Sequence, residues 1–144
     1  MELALQEARA AALEDEVPIG CVIVKDDKIL AITHNRKVHD NKATSHAEIL
    51  AINKASDVLG NWHLDDCDMY VTLEPCIMCA GAIINSRIKN VYIGADEPKG
   101  GAFGSSIDVL QANKINHHPN IEKGILVEES SMLLKEFFKA KRIK

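Results

Sequence analysis

The chain has 144 residues, 47% of them hydrophobic and 26% charged, with a formal net charge of −4. That length and balance predict one folded domain over residues 1–144 with a sizeable core, and argue against disorder. An acidic balance gives no global sign of nucleic-acid binding, and no apolar run reaches the length of a membrane span.

Residues 2–13 are rich in Ala and Leu and predict an amphipathic helix. Glu14-Asp15-Glu16 follows as a charged loop, and Pro18 resists further helix. Ile19 to Val24 is apolar and β-branched, a buried strand. Lys25-Asp26-Asp27-Lys28 reads as a polar turn into a second strand, Ile29 to Thr33, completing a hairpin. His34 to Thr44 is a polar loop. Thr44 or Ser45 can cap a helix from His46 to Val58, which Gly60-Asn61 stops. Met69 to Leu73 is the third strand, and Pro75 suits the start of a helix over Cys76 to Asn85.

Val91 to Gly94 is the fourth strand, followed by a Gly-rich loop over 95–106 and a short helix over Ile107 to Gln111. After a polar loop, Ile121 to Val127 reads as a fifth strand and Glu128 to Lys141 as a C-terminal helix. The sum is an α/β fold: a sheet of about five strands interleaved with helices.

Two short strings carry the chemistry: His46-Ala47-Glu48 and Pro75-Cys76-Ile77-Met78-Cys79. One imidazole and two thiolates are good zinc ligands. Three protein ligands leave a tetrahedral position open, which separates a catalytic zinc from a structural one. Cys76 and Cys79 stand at i and i+3 where a helix begins, so both can reach one point, and the helix dipole favours their thiolates. His46 and Glu48 are about 200° apart on an ideal helix. They can flank one metal only at a helix end that points into a cavity. There Glu48 would move the protons of an attacking water, a task that calls for a pKa raised by burial. The whole pattern resembles the H-x-E and P-C-x-x-C signature of the zinc nucleobase deaminases.

Other readings of these residues stand beside it. Cys76 and Cys79 could form a redox pair, or a closed structural zinc site with Cys21, Cys67, His39 or His63 as fourth ligand. Cys21 and Cys67 read as core. Four cysteines without a secretory leader predict a reducing, cytoplasmic setting. The tail holds Lys135, Lys139, Lys141, Arg142 and Lys144 against Glu136 alone, which suits either contact with phosphates or a solvated helix end.

The chain also resembles, nearly end to end, the bacterial TadA-type tRNA adenosine deaminases of the cytidine-deaminase-like superfamily. The residues that carry the likeness include Glu16-Val17-Pro18-Ile19-Gly20, His34-Asn35-Arg36 and Thr44-Ser45-His46-Ala47-Glu48-Ile49. Tyr70 to Ala82, Pro98-Lys99-Gly100-Gly101-Ala102, Asn116-His117 and Phe137-Phe138 extend it.

The resemblance implies a three-layer α/β/α fold and conversion of adenosine to inosine at tRNA position 34, in an arginine tRNA. It implies one Zn2+ per subunit on His46, Cys76 and Cys79, with Glu48 as proton shuttle. It matches Asn35 to the residue that holds the flipped base, Ala47, Val17 and Pro18 to the pocket wall, and Lys99 to a place beside the pocket. Asn116, Phe138 and Arg142 match grips on the anticodon loop. It further implies a homodimer through the helix after Cys79 and the segment to Arg87. Glu97 departs from the Asp that members often carry. A free-base or nucleoside deaminase of the same superfamily, and a non-catalytic zinc-stabilised RNA-binding module, are the alternatives.

Overall fold

The computed structural model describes residues 1–143; Lys144 of the basic tail lies outside the described residues. Helix α1 spans Glu2–Leu13, followed by strands β1 (Gly20–Lys25) and β2 (Lys28–His34). A helical turn α2 (Lys37–Asp40) interrupts the expected polar loop before helix α3 (Ala47–Leu59). Strand β3 (Cys67–Leu73), helix α4 (Ile77–Ser86), strand β4 (Asn90–Ala95), strand β5 (Asn120–Glu122) and helix α5 (Val127–Ile143) complete the order.

The sheet runs β2-β1-β3-β4-β5. β1 pairs antiparallel with both β2 and β3, whereas β3, β4 and β5 run parallel. Asp26 and Asp27, at φ 50° and 62°, turn the β1–β2 hairpin in the left-handed conformation that two-residue hairpin loops need. The parallel pair β3–β4 is joined through α4, because parallel neighbours need a crossover.

Alternation along the strands sorts the sheet's two faces. Cys21, Ile23, Met69, Val71, Val91 and Ile93 pack with Ala51, Ala55, Ala80 and Ile83 of α3 and α4 in one apolar core. Helices α1 and α5 cover the opposite face, with Ala4, Leu5, Ala8 and Ala11 of α1 fully buried. The fold is therefore a three-layer α/β/α arrangement around a mixed five-stranded sheet. Gly20 permits the close approach of α1, since a Cβ there would overlap the Ala4 carbonyl.

Two further expectations change. The fifth strand is three residues, Asn120–Glu122, rather than Ile121 to Val127. Gly124 (φ 82°) and Leu126 (φ 54°) turn the chain out of extended geometry, and α5 starts at Val127. The segment expected as a short helix over Ile107 to Gln111 is a single 3-10 turn at Val109–Gln111, capped by Asp108 accepting from the Leu110 N–H at 3.0 Å.

Candidate active site

Two helix N-termini meet beyond the end of β3. His46 is the cap residue of α3, with φ −74° and ψ 151°, and Cys76 is the cap residue of α4, with φ −74° and ψ 177°. Both therefore lie outside helical geometry. The extended backbone at His46 lets its ring and Glu48 serve one site, which a mid-helix i, i+2 pair could not. Nδ1 of His46 lies 3.7 Å from Sγ of Cys76 and 3.5 Å from Sγ of Cys79. Tetrahedral zinc with its usual bond lengths separates nitrogen from sulfur by about 3.6 Å, so donor types and spacing both fit that ion. Among the described residues these three form the group able to hold a metal, with no fourth His, Cys, Asp or Glu joining them.

The electrostatics follow the same arrangement. The Cys79 thiol donates to Cys76, and this contact, together with the nearby His46, outweighs burial and brings Cys76 down to about 3. The Cys76 contact in turn raises His46 against the effect of burial. Glu48 is 4% exposed, and burial pushes its carboxyl up to about 7, with the Cys76 charge adding to the rise.

A cleft of about 390 Å³ opens over these groups, lined by Ile19, His46, Glu48, Leu73, Cys76 and Lys99 among others. Lys99 and Glu97 also line an adjoining cleft with Phe138, Lys141 and Arg142. A small, partly apolar pocket thus shares its rim with an aromatic and cationic surface.

The chain matches the MafB19-like deaminase family over residues 1–142. It is 46% identical over 143 residues to the tRNA-specific adenosine deaminase of Agrobacterium fabrum, covering 99% of this chain and 94% of that protein. The Bacillus subtilis enzyme of the same name is 42% identical over 144 residues, covering 100% of this chain and 89% of the relative. A structure solved in a study of A-to-I editing by tRNA:A34 deaminases superposes with a TM-score of 0.91 at 46% identity, over 93% of this chain and 97% of that one. The chain belongs to the tRNA-specific adenosine deaminases.

Membership in the tRNA-specific adenosine deaminases gives each expected residue a place to be compared with. His46, Glu48, Cys76 and Lys99 line the cleft, and Cys79 lies fully buried beneath it. Ala47 is fully buried in the core, and its carbonyl accepts from the Thr33 hydroxyl at 2.7 Å. Asn35 ends the hairpin: its N–H donates to the Ile19 carbonyl at 3.1 Å, and its Oδ1 accepts from the Lys37 N–H at 3.3 Å. Pro18 is fully buried and Val17 half-buried on the segment leading to Ile19, whose side chain, rather than theirs, reaches the cleft lining.

Phe138 is 46% exposed and faces the adjoining cleft with Arg142, whereas Phe137 is half-buried beneath Lys141. Asn116 is not with them. It lines a separate cleft of about 520 Å³ with Trp62, Arg87, Lys114 and His117.

The histidines weighed as spare ligands are engaged elsewhere. His39 is bonded to Glu16 at 2.8 Å, and His63 stacks against Trp62. None of the four cysteines is in a disulfide, and Cys21 and Cys67 lie in the core.

Glu74, to which no sequence motif assigns a role, is 2% exposed and lines the cleft. Its carboxylate accepts from the N–H groups of Glu97 at 3.2 Å, Phe103 at 2.9 Å and Ser105 at 3.2 Å. The Ser105 hydroxyl also donates to it. An acidic residue next to Pro75 in the sequence was the available signal, but its partners lie more than twenty residues away.

Proposed function

We infer that this protein catalyses zinc-dependent hydrolytic deamination of adenosine to inosine at wobble position 34 of tRNA, with an arginine tRNA as substrate and ammonia released. The observation that carries the reading is the shared rim: Glu48 and the His46, Cys76, Cys79 triad lie under a cleft whose Lys99 edge continues to Phe138 and Arg142. A flipped base fits the first cleft, and splayed loop nucleotides fit the second.

His46, Cys76 and Cys79 hold the zinc, and two thiolates with a neutral imidazole offset its charge. Bound zinc lowers the pKa of water and so provides a nucleophile at neutral pH. Glu48 takes a proton from the attacking water and passes it to the ring nitrogen, which makes the ring carbon more electrophilic. Glu48, a carboxylate again, then takes the second proton from the hydroxyl now bonded to the ring carbon and delivers it to the departing amine as the carbon–nitrogen bond breaks. Water plus adenosine thus gives inosine plus ammonia, with Glu48 returned to its starting state. A carboxyl held near neutrality by burial can both accept and donate in one cycle.

Asn35 anchors the flipped base. Its Oδ1 is taken by Lys37, which leaves its amide N–H groups to donate. Ala47, Val17 and Pro18 back the pocket through the core. Lys99, Phe138 and Arg142 hold flanking nucleotides, and Asn116 contacts the anticodon arm from the separate cleft. The protein acts as a single-domain homodimer joined through α4 and the segment to Arg87, where Ile77 stands 63% exposed at the head of the helix. A tRNA substrate places it in the cytoplasm. Among the described residues no helix is long and apolar enough to cross a membrane.

The test is direct. The purified protein is incubated with an arginine tRNA anticodon stem-loop bearing adenosine at the wobble position, and separately with free guanine, cytosine and adenosine. Inosine in the RNA alone is the expected result. Deamination of a free base alone would replace this reading with the free-base enzyme, and RNA binding without product would make the protein a binding module.

A further inference from the structure

The carboxylate of Glu74 is buried at the base of the catalytic cleft, yet it has no place in the proton transfers. Every acceptor direction it offers is used by one loop and one lysine. Oε1 accepts from the Glu97 N–H at 3.2 Å and from the Ser105 hydroxyl, and lies 3.6 Å from Nζ of Lys123. Oε2 accepts from the N–H groups of Phe103 and Ser105 at 2.9 and 3.2 Å. The same Lys123 reaches Asp96 at 3.5 Å, at the root of the loop. A Cβ at Gly101 would overlap the Glu74 carboxyl, so the loop closes directly over it.

What that loop carries is the rim. From Glu97, the tie to Glu74 passes outward: the Glu97 side chain accepts from the Lys99 N–H at 2.9 Å, and the Glu97 carbonyl accepts from the Gly101 N–H at 2.8 Å. Glu97, Lys99 and Gly100 then form one wall of the catalytic cleft, and Glu97 and Lys99 form the border with Phe138 and Arg142. Segments rich in glycine lose much entropy on ordering, and four hydrogen-bond donors and the Lys123 ammonium on one buried carboxylate offset that cost.

We propose that Glu74 is a positioning residue for substrate binding: its buried carboxylate organises the 97–105 loop and thereby sets Lys99 between the catalytic cleft and the Phe138–Arg142 surface. The proposal deepens the tRNA reading and rests on it for the identity of the substrate. It assigns Glu74 to binding, and leaves the chemical step to Glu48 and the metal ligands.

Glu74→Gln tests it, because the two side chains have the same shape but the amide presents a donor to N–H groups that need an acceptor. With the anticodon stem-loop, KM is expected to rise roughly tenfold, the loss of about one charge-assisted hydrogen bond, while kcat changes by less than about threefold. Hydrogen exchange at the Phe103 and Ser105 amides is expected to accelerate, and zinc content to stay at the wild-type level.

Ser105→Ala removes the hydroxyl contact alone and is expected to raise KM by a smaller factor, so the idea remains testable if Glu74→Gln folds poorly. An unchanged KM in both variants would overturn the proposal, as would full protection of those two amides. Loss of zinc, or a fall in kcat at constant KM, would instead make Glu74 a support for the metal ligands. If the wild-type protein itself forms no inosine in RNA, the substrate reading fails, and the exchange measurement still decides whether Glu74 holds the loop.

Discussion

Nδ1 of His46 lies 3.5 Å from Sγ of Cys79, although thirty-three positions separate them in the chain. The contact exists because α3 and α4 begin side by side, one after the hairpin and the other after β3. Cys79→Ser keeps the size of the side chain but replaces a soft thiolate by a hydroxyl that stays protonated. Zinc content of the purified variant is expected to fall well below one ion per subunit, with deamination lost in parallel. Full zinc occupancy, measured by atomic absorption, would remove Cys79 from the ligand set.

Glu48→Ala separates proton transfer from metal binding. Glu48 is buried near Cys76 and His46 but is not one of the three residues whose donor atoms could hold a metal. The variant is expected to retain zinc and its fold while kcat drops by roughly 10²–10⁴, the usual worth of a general acid–base group. Near-normal turnover would end the assignment of Glu48 as the shuttle.

Phe138 and Arg142 face the cleft beside Lys99, whereas Phe137 sits under Lys141, whose Nζ is 5.6 Å from the ring centroid. Phe138→Ala is expected to weaken stem-loop binding by about 1–3 kcal/mol, the value of one stacked base, and Phe137→Ala to act mainly on thermal stability. Arg142→Ala should reduce the slope of log K against log salt by about 0.7 to 1. Titrations by fluorescence anisotropy at several salt concentrations measure both effects, and an unaltered slope would take Arg142 out of the RNA surface.

His34 is clasped by two carboxylates of the α1 segment, Glu7 at 2.9 Å from Nδ1 and Glu14 at 3.0 Å from Nε2. Burial disfavours its charge, but the bonds to Glu7 and Glu14 outweigh burial and raise its pKa above the ordinary 6.5. Glu14 is lowered from 4.5, first by its bond to His34, with Arg36 adding a contact at 3.7 Å. A raised imidazole stabilises fully below its unfolded pKa and loses that contribution as pH rises through the folded value. The lowered Glu14 contributes above its unfolded pKa and loses that contribution as pH falls. Both act together between about pH 4.5 and 6.5. His34→Gln should therefore lower Tm by roughly 2–4 °C near pH 5.5 and by less near pH 8.5. Equal losses at the two pH values, by scanning calorimetry, would contradict this coupling.

Local spacing made part of this protein legible without coordinates. Two cysteines at i and i+3 where a helix starts, and a histidine two residues before a glutamate, mark Cys76, Cys79, His46 and Glu48 as candidates, and the fold brings the first three within reach of one ion. Strand periodicity and turn residues likewise led to the hairpin, to a helix between the third and fourth strands and to most element bounds, whereas the parallel pairing of β3 with β4 came from the fold. The fifth strand misled because Ile121, Ile125 and Val127 read as extended, while Gly124 and Leu126 adopt positive φ. Side-chain alternation alone does not report that.

The tertiary structure decided what depends on distant partners. Whether Phe137 or Phe138 faces the cleft follows from how α5 rotates against the sheet, not from their adjacency. Asn116 belongs to a different cleft from Lys99, because the chain between the Val109–Gln111 turn and β5 passes on the Trp62 and Arg87 side. Glu74 gains its role only when Glu97, Phe103 and Ser105 return to it through β4 and the Gly-rich loop. The proposed reacting groups are legible in short motifs because metal ligation and proton transfer need particular side chains at fixed spacing. The shape of the mouth above them was not, since it rests on backbone groups that any residue could supply.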